Sequence, residues 1–178
     1  MNYTSVAHIF ETIDETRERL YQRVEGLTDE QANAHPSENA WSVTDIMEHL
    51  TIMEDRLARM MKVMLAKAEG ASTKSNGGAI EIKPFSLDQL IERSQAEKYV
   101  APEAVRPSGT LHLTDLLARM RVSREELRAL QPRIEATDLS AFTYPHPAFG
   151  PLNFYQWLAL IGLHEQRHLN QIESVLKA

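Results

Sequence analysis

Cysteine is absent from the 178 residues of this chain. Disulfides, thiolate metal ligands and a cysteine nucleophile are therefore excluded, and the absence suits a reducing compartment. Long apolar runs are also missing, since the longest, Trp157 to Leu163, is far shorter than the roughly 20 residues that span a bilayer. The first residues, MNYTSVAHIFETIDE, have neither the basic region nor the apolar core of a signal peptide. We therefore expect a soluble, cytoplasmic protein.

Basic residues are fewer than acidic residues. The chain has 19 Lys and Arg residues against 25 Asp and Glu residues, which gives a formal net charge of −6. Such a charge provides no general attraction for nucleic acid phosphates or anionic lipids. Arg17, Arg19 and Arg23 alternate with glutamates of the same segment, which is typical of a solvated helix face. We expect neither nucleic acid nor a membrane as a partner.

The composition is that of an ordinary globular protein, with 43% apolar and 25% charged residues, and we expect residues 1–178 to form one domain. Apolar residues recur at steps of three and four in four segments, which is the pattern of amphipathic helices. The predicted helices cover residues 4–26, 43–69, 112–135 and 153–176. Four long helices with long crossover connections and no convincing alternating strand predict an all-α four-helix bundle.

Local signals mark the ends of these helices. Ser42 and Asn153 each stand three residues before a side chain that completes an N-capping pair. Gly26 ends the first helix, and the residues from Thr28 predict a short helical turn. Pro132 lies near the end of the third helix.

Three connecting segments have distinct compositions. Residues 70–84 are rich in glycine and polar residues, which predicts a flexible loop or a short extended segment. Residues 87–100 predict a brief helix that later prolines end. Residues 142–152, FTYPHPAFGPL, form a connector rich in proline and aromatic residues. We expect the loop and the connector to border a functional site at one end of the bundle.

The fourth predicted helix carries two histidines on its apolar stripe. His164 and His168 are one turn apart and share a face with Trp157 and Ile161. Two imidazoles at this spacing can direct nitrogens at one cation at about 2.0–2.1 Å each. His49 borders the apolar stripe of the second helix and is the candidate third ligand. The alternative is that these are hydrogen-bonded histidines of the core, because burial without partners would cost stability.

The segment HEQRH, from His164 to His168, also matches the HExxH pattern of zinc metalloproteases, in which the glutamate activates water. An all-helical chain offers no edge strand on which an extended peptide can lie. We therefore disfavour a protease and expect Glu165 to be a solvated or interhelical charge. The other histidines are weaker candidates because exposure is the default in their segments: His8, His35, His112 and His146. Among them, His146 lies nearest the expected mouth of the bundle, and we expect a structural role for it.

Three motifs follow one another along the chain: WSVTDIMEHL at 41–50, HPAFGPL at 146–152 and HEQRHLNQI at 164–172. In order and spacing they resemble the DinB-like superfamily, including the YfiT-type metal-dependent hydrolases, and the resemblance spans nearly the whole chain. Arg167 stands where that family often has a histidine.

The resemblance implies a four-helix bundle that holds a divalent metal, commonly nickel or zinc, through His49, His164 and His168. It also implies a small-molecule substrate and a homodimer. Three histidine ligands leave coordination positions open, as in catalytic sites, either for hydrolysis or for thiol S-transfer. Because the chain has no cysteine, a thiol would be a low-molecular-weight cosubstrate. The alternative is a non-enzymatic, stress-associated binding or dimerisation bundle whose metal is structural or absent.

Overall fold

Four long helices account for most of the described structure. The computed structural model describes residues 2–71, 80, 82–88, 90, 92 and 101–178. Its helices are, in chain order, α1 (Val6–Val24), α2 (Asp29–Asn33), α3 (Val43–Gly70), α4 (Leu113–Arg128), α5 (Gln131–Glu135) and α6 (Phe154–Val175), with a 3₁₀ turn at Glu103–Val105. The long helices α1, α3, α4 and α6 confirm the predicted all-α four-helix bundle.

Side-chain caps begin the two helices that carry the candidate histidines. At the start of α3, Ser42 accepts the Asp45 N–H at 3.1 Å and its own N–H is accepted by the Asp45 carboxylate at 3.0 Å. Asn153 and Gln156 make the same reciprocal pair at the start of α6. Thr28 caps the short helix α2 in the same way. The predicted helix starts are therefore confirmed.

The predicted extent of the third helix is wrong. Instead of one helix over 112–135, helix α4 ends at Arg128 and α5 begins at Gln131. Pro132 explains the break, because it has no N–H and its ring would clash with the carbonyl of Arg128 in a continuous helix. The proline therefore divides the segment instead of marking only its end.

Four short strands form two antiparallel pairs: β1 (Asn2–Tyr3) with β2 (Phe85–Ser86), and β3 (Thr143–His146) with β4 (Gly150–Asn153). The expectation that the chain has no strand is thus wrong, most clearly for the connector at 142–152. Its alternation is hidden by Pro145 and Pro151, which stand opposite each other in the hairpin and are rarely found in strands. Gly150 closes the hairpin with a φ of +76°, which glycine adopts without strain.

Packing between the helices places α3 and α6 side by side. Helix α6 lies along α1, and α3 packs against both α4 and α6. The facing stripes form two buried apolar clusters, one that includes Ile13 and Phe154 and another that includes Ile46 and Met120. At Gly162 the helices α1 and α6 approach so closely that an added Cβ would lie 2.9 Å from the Cγ2 of Ile13. This packing determines which side chains of α3 and α6 meet.

Two of the predicted segments lie mostly outside the described residues. These are the loop at 70–84 and the brief helix at 87–100. Within the described part of the chain, no helix combines the length and the apolar character needed to cross a membrane.

Candidate metal centre

Three histidines from two helices converge on one point. His49 lies in the second turn of α3, and His164 and His168 lie on α6. The Nε2 atom of His164 is 3.3 Å from that of His49 and 3.2 Å from that of His168. One ring nitrogen of each histidine lies within 4.8 Å of the other two. The structure therefore brings together the three residues that the sequence singled out.

Neutral acceptors hold the outer nitrogens of two of these rings. His49 Nδ1 lies 2.7 Å from the carbonyl oxygen of Val105, and His168 Nδ1 lies 2.9 Å from the side-chain oxygen of Gln171. Because a carbonyl oxygen only accepts, Nδ1 of each ring carries the hydrogen. Each neutral ring then presents a lone pair at Nε2, facing Nε2 of His164.

Burial keeps the three imidazoles neutral. It is the largest cause that lowers the pKa of His49 and of His164, and it lowers the pKa of His168 to about 3. The positive charge of Arg167 lowers the pKa of each ring further. At neutral pH the rings therefore have free electron pairs and no charge, which is the state that binds metal.

The donor set fits a metal ion. Ligands at about 2.0–2.1 Å in a tetrahedral arrangement lie about 3.3–3.4 Å apart, and the two closest Nε2 pairs are 3.3 and 3.2 Å apart. A hydrogen on His164 Nε2 would satisfy only one of the two lone pairs that face it, whereas a cation satisfies all three nitrogens. In the described part of the chain, no carboxylate belongs to this group. Imidazole donors are typical of zinc, copper, iron and nickel sites.

A buried acid supports the backbone that contacts His49. Glu48, the residue before His49, accepts the N–H of Ser108 at 2.9 Å and the N–H of Gly109 at 3.1 Å. These bonds fix the segment that follows Val105. Sequence reasoning missed both Glu48 and Val105, because no local pattern shows that residues about 60 positions apart meet.

A second group of charged side chains lies in the core of the bundle. Arg17 of α1 and Arg124 of α4 both contact Glu54 of α3 and Glu165 of α6, and we call these four residues the buried ion cluster. Arg17 lies 2.6 Å from Glu54, and Arg124 lies 2.8 Å from Glu165. The prediction that Arg17 is solvated is wrong, because only 3% of its surface is exposed. Its carboxylate partners belong to other helices, so the charge pattern of α1 alone could not reveal its burial.

Glu165 occupies the position of the catalytic glutamate in the HExxH pattern. Its Oε1 accepts hydrogen bonds from both Arg17 and Arg124, and burial raises its pKa. Glu165 is therefore an interhelical charge, which is one of the two expected roles, and it is not solvated. Its binding to two arginines argues against the role of a water-activating base.

The remaining histidines lie outside the cluster. His35 and His112 are exposed, as expected, whereas His8 and His146 are half-buried. The ring of His146 lies 4.4 Å from that of Phe149 and 5.1 Å from that of Trp157. Its Nδ1 accepts two N–H groups of the hairpin turn. These contacts give His146 a structural role in closing the β3–β4 hairpin.

The family comparison covers most of the chain. A family model described as the DinB superfamily matches residues 12–172. The chain belongs to the DinB superfamily. The matched range contains all three histidines of the candidate centre, so the resemblance inferred from the motifs is confirmed.

Relatives of this DinB-superfamily chain match it over most of their length. It is 30% identical over 163 residues to the protein YuaE of Bacillus subtilis (strain 168), covering 91% of this chain and 93% of YuaE. The crystal structure of TT2238, described as a four-helix bundle protein, has a TM-score of 0.64 at 20% identity and covers 96% of this chain and 99% of that one.

A second solved structure is that of YfiT from Bacillus subtilis, described as "a probable metal-dependent hydrolase with an unusual four-helix bundle topology". Its TM-score is 0.63 at 19% identity, and the match covers 97% of this chain and 86% of YfiT. At these identities the two solved structures show a shared four-helix fold.

Proposed function

We propose that this protein is a metal-dependent enzyme that acts on a small molecule by hydrolysis or by thiol S-transfer. Its divalent metal, nickel or zinc, would be held by His49, His164 and His168. The convergence of three Nε2 atoms, two of them with tautomers set by Val105 and Gln171, carries the proposal. The description of YfiT as "a probable metal-dependent hydrolase" supports it.

The donor set favours a catalytic metal over a closed structural one. Three imidazoles leave coordination positions open, whereas structural zinc sites have four protein ligands. The metal would supply Lewis acidity, which lowers the pKa of a bound water toward neutrality or stabilises a thiolate. The protein itself orients the rings: the carbonyl of Val105 and the side chain of Gln171 hold His49 and His168 by their outer nitrogens. Such outer contacts tune ligand basicity and ring orientation.

The thiol branch of the proposal requires a second substrate. The chain contains no cysteine, so the sulfur must come from a low-molecular-weight thiol that enters from solution. Hydrolysis requires only water. Measuring thiol consumption and acid release with the same electrophilic substrate would separate the two reactions.

Metal content tests the proposed site directly. Untagged wild-type protein is compared by inductively coupled plasma mass spectrometry with His49→Ala, His164→Ala and His168→Ala. Replacement of the exposed His112 by Ala is the control. We expect about one nickel or zinc per chain in the wild type and the control, and loss of metal in the other three variants. Wild-type protein that stays metal-free after reconstitution would refute the proposal and favour the non-enzymatic bundle.

Chelation separates a catalytic metal from a structural one. The helices pack through two apolar clusters that do not depend on the histidines, so we expect removal of the metal to lower Tm only slightly while activity is lost. Structural metals contribute folding free energy outright. Unfolding on chelation would therefore support the non-enzymatic alternative.

We also propose that the protein is a homodimer, a proposal that rests on the family resemblance. Sedimentation equilibrium of the full chain would test it. A mass twice the 20.2 kDa of one chain is expected, and the monomer mass at all concentrations would refute it.

A further inference from the structure

Arg167 is an exposed arginine beside the candidate metal centre. It directly precedes His168 and follows His164 by three residues, so it neighbours His164 on the helix surface. Within the described residues, the guanidinium makes no hydrogen bond and no ion pair. This cation is therefore available to a ligand from solution.

The remainder of the site contributes one uncompensated carboxylate, that of Glu48, which accepts two backbone N–H groups. The three ligands are neutral imidazoles, and the outer partners, the carbonyl of Val105 and the side chain of Gln171, are also neutral. The buried ion cluster approaches His164 at a cavity of about 10 Å³ that Glu54 and Glu165 line. Its two carboxylates are balanced by its two arginines. The charge of a divalent ion would exceed that of Glu48, and the exposed arginine adds a further positive charge.

We propose that Arg167 binds an anionic group of the substrate, so that the substrate class is small molecules that carry a carboxylate or a phosphate. This inference rests on the metal-dependent function proposed above. A guanidinium presents paired N–H donors that match two oxygens of a carboxylate or phosphate. The ring of Trp41 lies 5.1 Å from that of His49, and it offers a surface for the apolar part of the same molecule.

The test measures binding of small anions instead of turnover. The full chain is reconstituted with Co²⁺, whose visible absorption changes when its coordination changes. The protein is titrated with benzoate, with phenyl phosphate and with benzamide, which is a neutral match for benzoate. The variants are Arg167→Gln, which removes the charge, and Arg167→Lys, which keeps the charge without the paired donors. Arg59→Gln is the control, because Arg59 is exposed and lies ten residues, or about 15 Å of helix, from His49.

We expect at least one of the two anions to bind the wild type. The Kd of that anion should rise about tenfold or more in Arg167→Gln, because a hydrogen bond to a charged group is lost. The Kd in Arg167→Lys should lie between the values of the wild type and Arg167→Gln. Arg59→Gln should bind the anion as the wild type does. The Kd of benzamide should be the same in the wild type and in Arg167→Gln. The relative affinities of benzoate and phenyl phosphate distinguish a carboxylate substrate from a phosphate substrate.

Several outcomes would overturn the inference. They are equal anion affinity in the wild type and Arg167→Gln, no binding of either anion to the wild type, or loss of Co²⁺ in Arg167→Gln, which would give the arginine a structural role. In each case the wild type still contains Co²⁺, so the proposed metal site is not refuted. Wild-type protein that takes up no Co²⁺ would instead refute the proposed function, and this inference with it.

Discussion

Gln171 is a side chain whose removal should weaken metal binding at the proposed centre without abolishing it. Its side-chain oxygen lies 2.9 Å from Nδ1 of His168 and orients that ring. Loss of such an outer partner typically reduces metal affinity by about 10–100-fold. We expect this reduction in Gln171→Ala, measured by competition with a chromophoric chelator. Gln166→Ala is the control, since Gln166 lies on the same helix and contacts Arg19. Equal metal affinity in both variants would show that Gln171 does not support the ligand.

Arg17 is a buried residue whose replacement should cost much stability. Substitution by Met leaves Glu54 and Glu165 buried with one arginine in place of two. Breaking a buried ion pair costs about 3–5 kcal/mol, because one charge remains without a partner. We expect a loss of this size in the free energy of unfolding of Arg17→Met, measured by urea denaturation. Arg19→Met removes an exposed arginine and should change stability by less than about 0.5 kcal/mol. Similar stabilities for the two variants would contradict this account.

At the scale of the elements, the contact between α1 and α6 depends on a glycine. A Cβ at position 162 would lie 2.9 Å from Cγ2 and 3.3 Å from Cα of Ile13. Overpacking of this kind costs about 1–3 kcal/mol, which offsets or exceeds the roughly 1 kcal/mol that alanine adds to helix propensity. We therefore expect Gly162→Ala to lower the midpoint of urea unfolding. Gly70→Ala, at a helical glycine with open space around it, should not lower it, and equal effects would refute the close approach.

At the scale of the whole molecule, the buried histidines make stability depend on pH. Their pKa values in the folded protein lie below the ordinary value of about 6.5, and burial lowers that of His168 to about 3. Below about pH 6.5 the unfolded chain therefore binds more protons than the folded one. The free energy of unfolding of the metal-free protein should fall as the pH decreases from about 6.5 toward 3. Burial raises the pKa of Glu165, so this carboxyl group instead makes the free energy of unfolding larger as the pH falls.

Comparison with His168→Gln isolates the contribution of one histidine. Urea unfolding at a series of pH values should show a shallower dependence for this variant than for the wild type, because one proton-binding group of the unfolded chain is gone. His112→Ala removes an exposed imidazole and should follow the wild-type curve. Parallel curves for the wild type and His168→Gln would contradict the lowered pKa of His168.

The sequence by itself determined the long helices, their starts at Ser42 and Asn153, and the placement of His164 and His168 on one face. Each of these depends on residues within one or two helical turns, where the geometry of the helix is known in advance. The break before Pro132 has an equally local cause. The three candidate ligands were predictable because each lies on or beside an apolar stripe.

Only the tertiary structure decided which groups surround those ligands. Val105 stands 56 residues from His49, and Arg17 stands 148 residues from Glu165. Burial and ion pairing depend on distance in space, so a charge pattern read along α1 placed Arg17 in solvent when its carboxylate partners lie on other helices. The connector at 142–152 likewise became a hairpin through pairing between its own two ends. The stripes therefore indicate where a metal could bind, and the packing determines the tautomers, burial and charge that would favour binding.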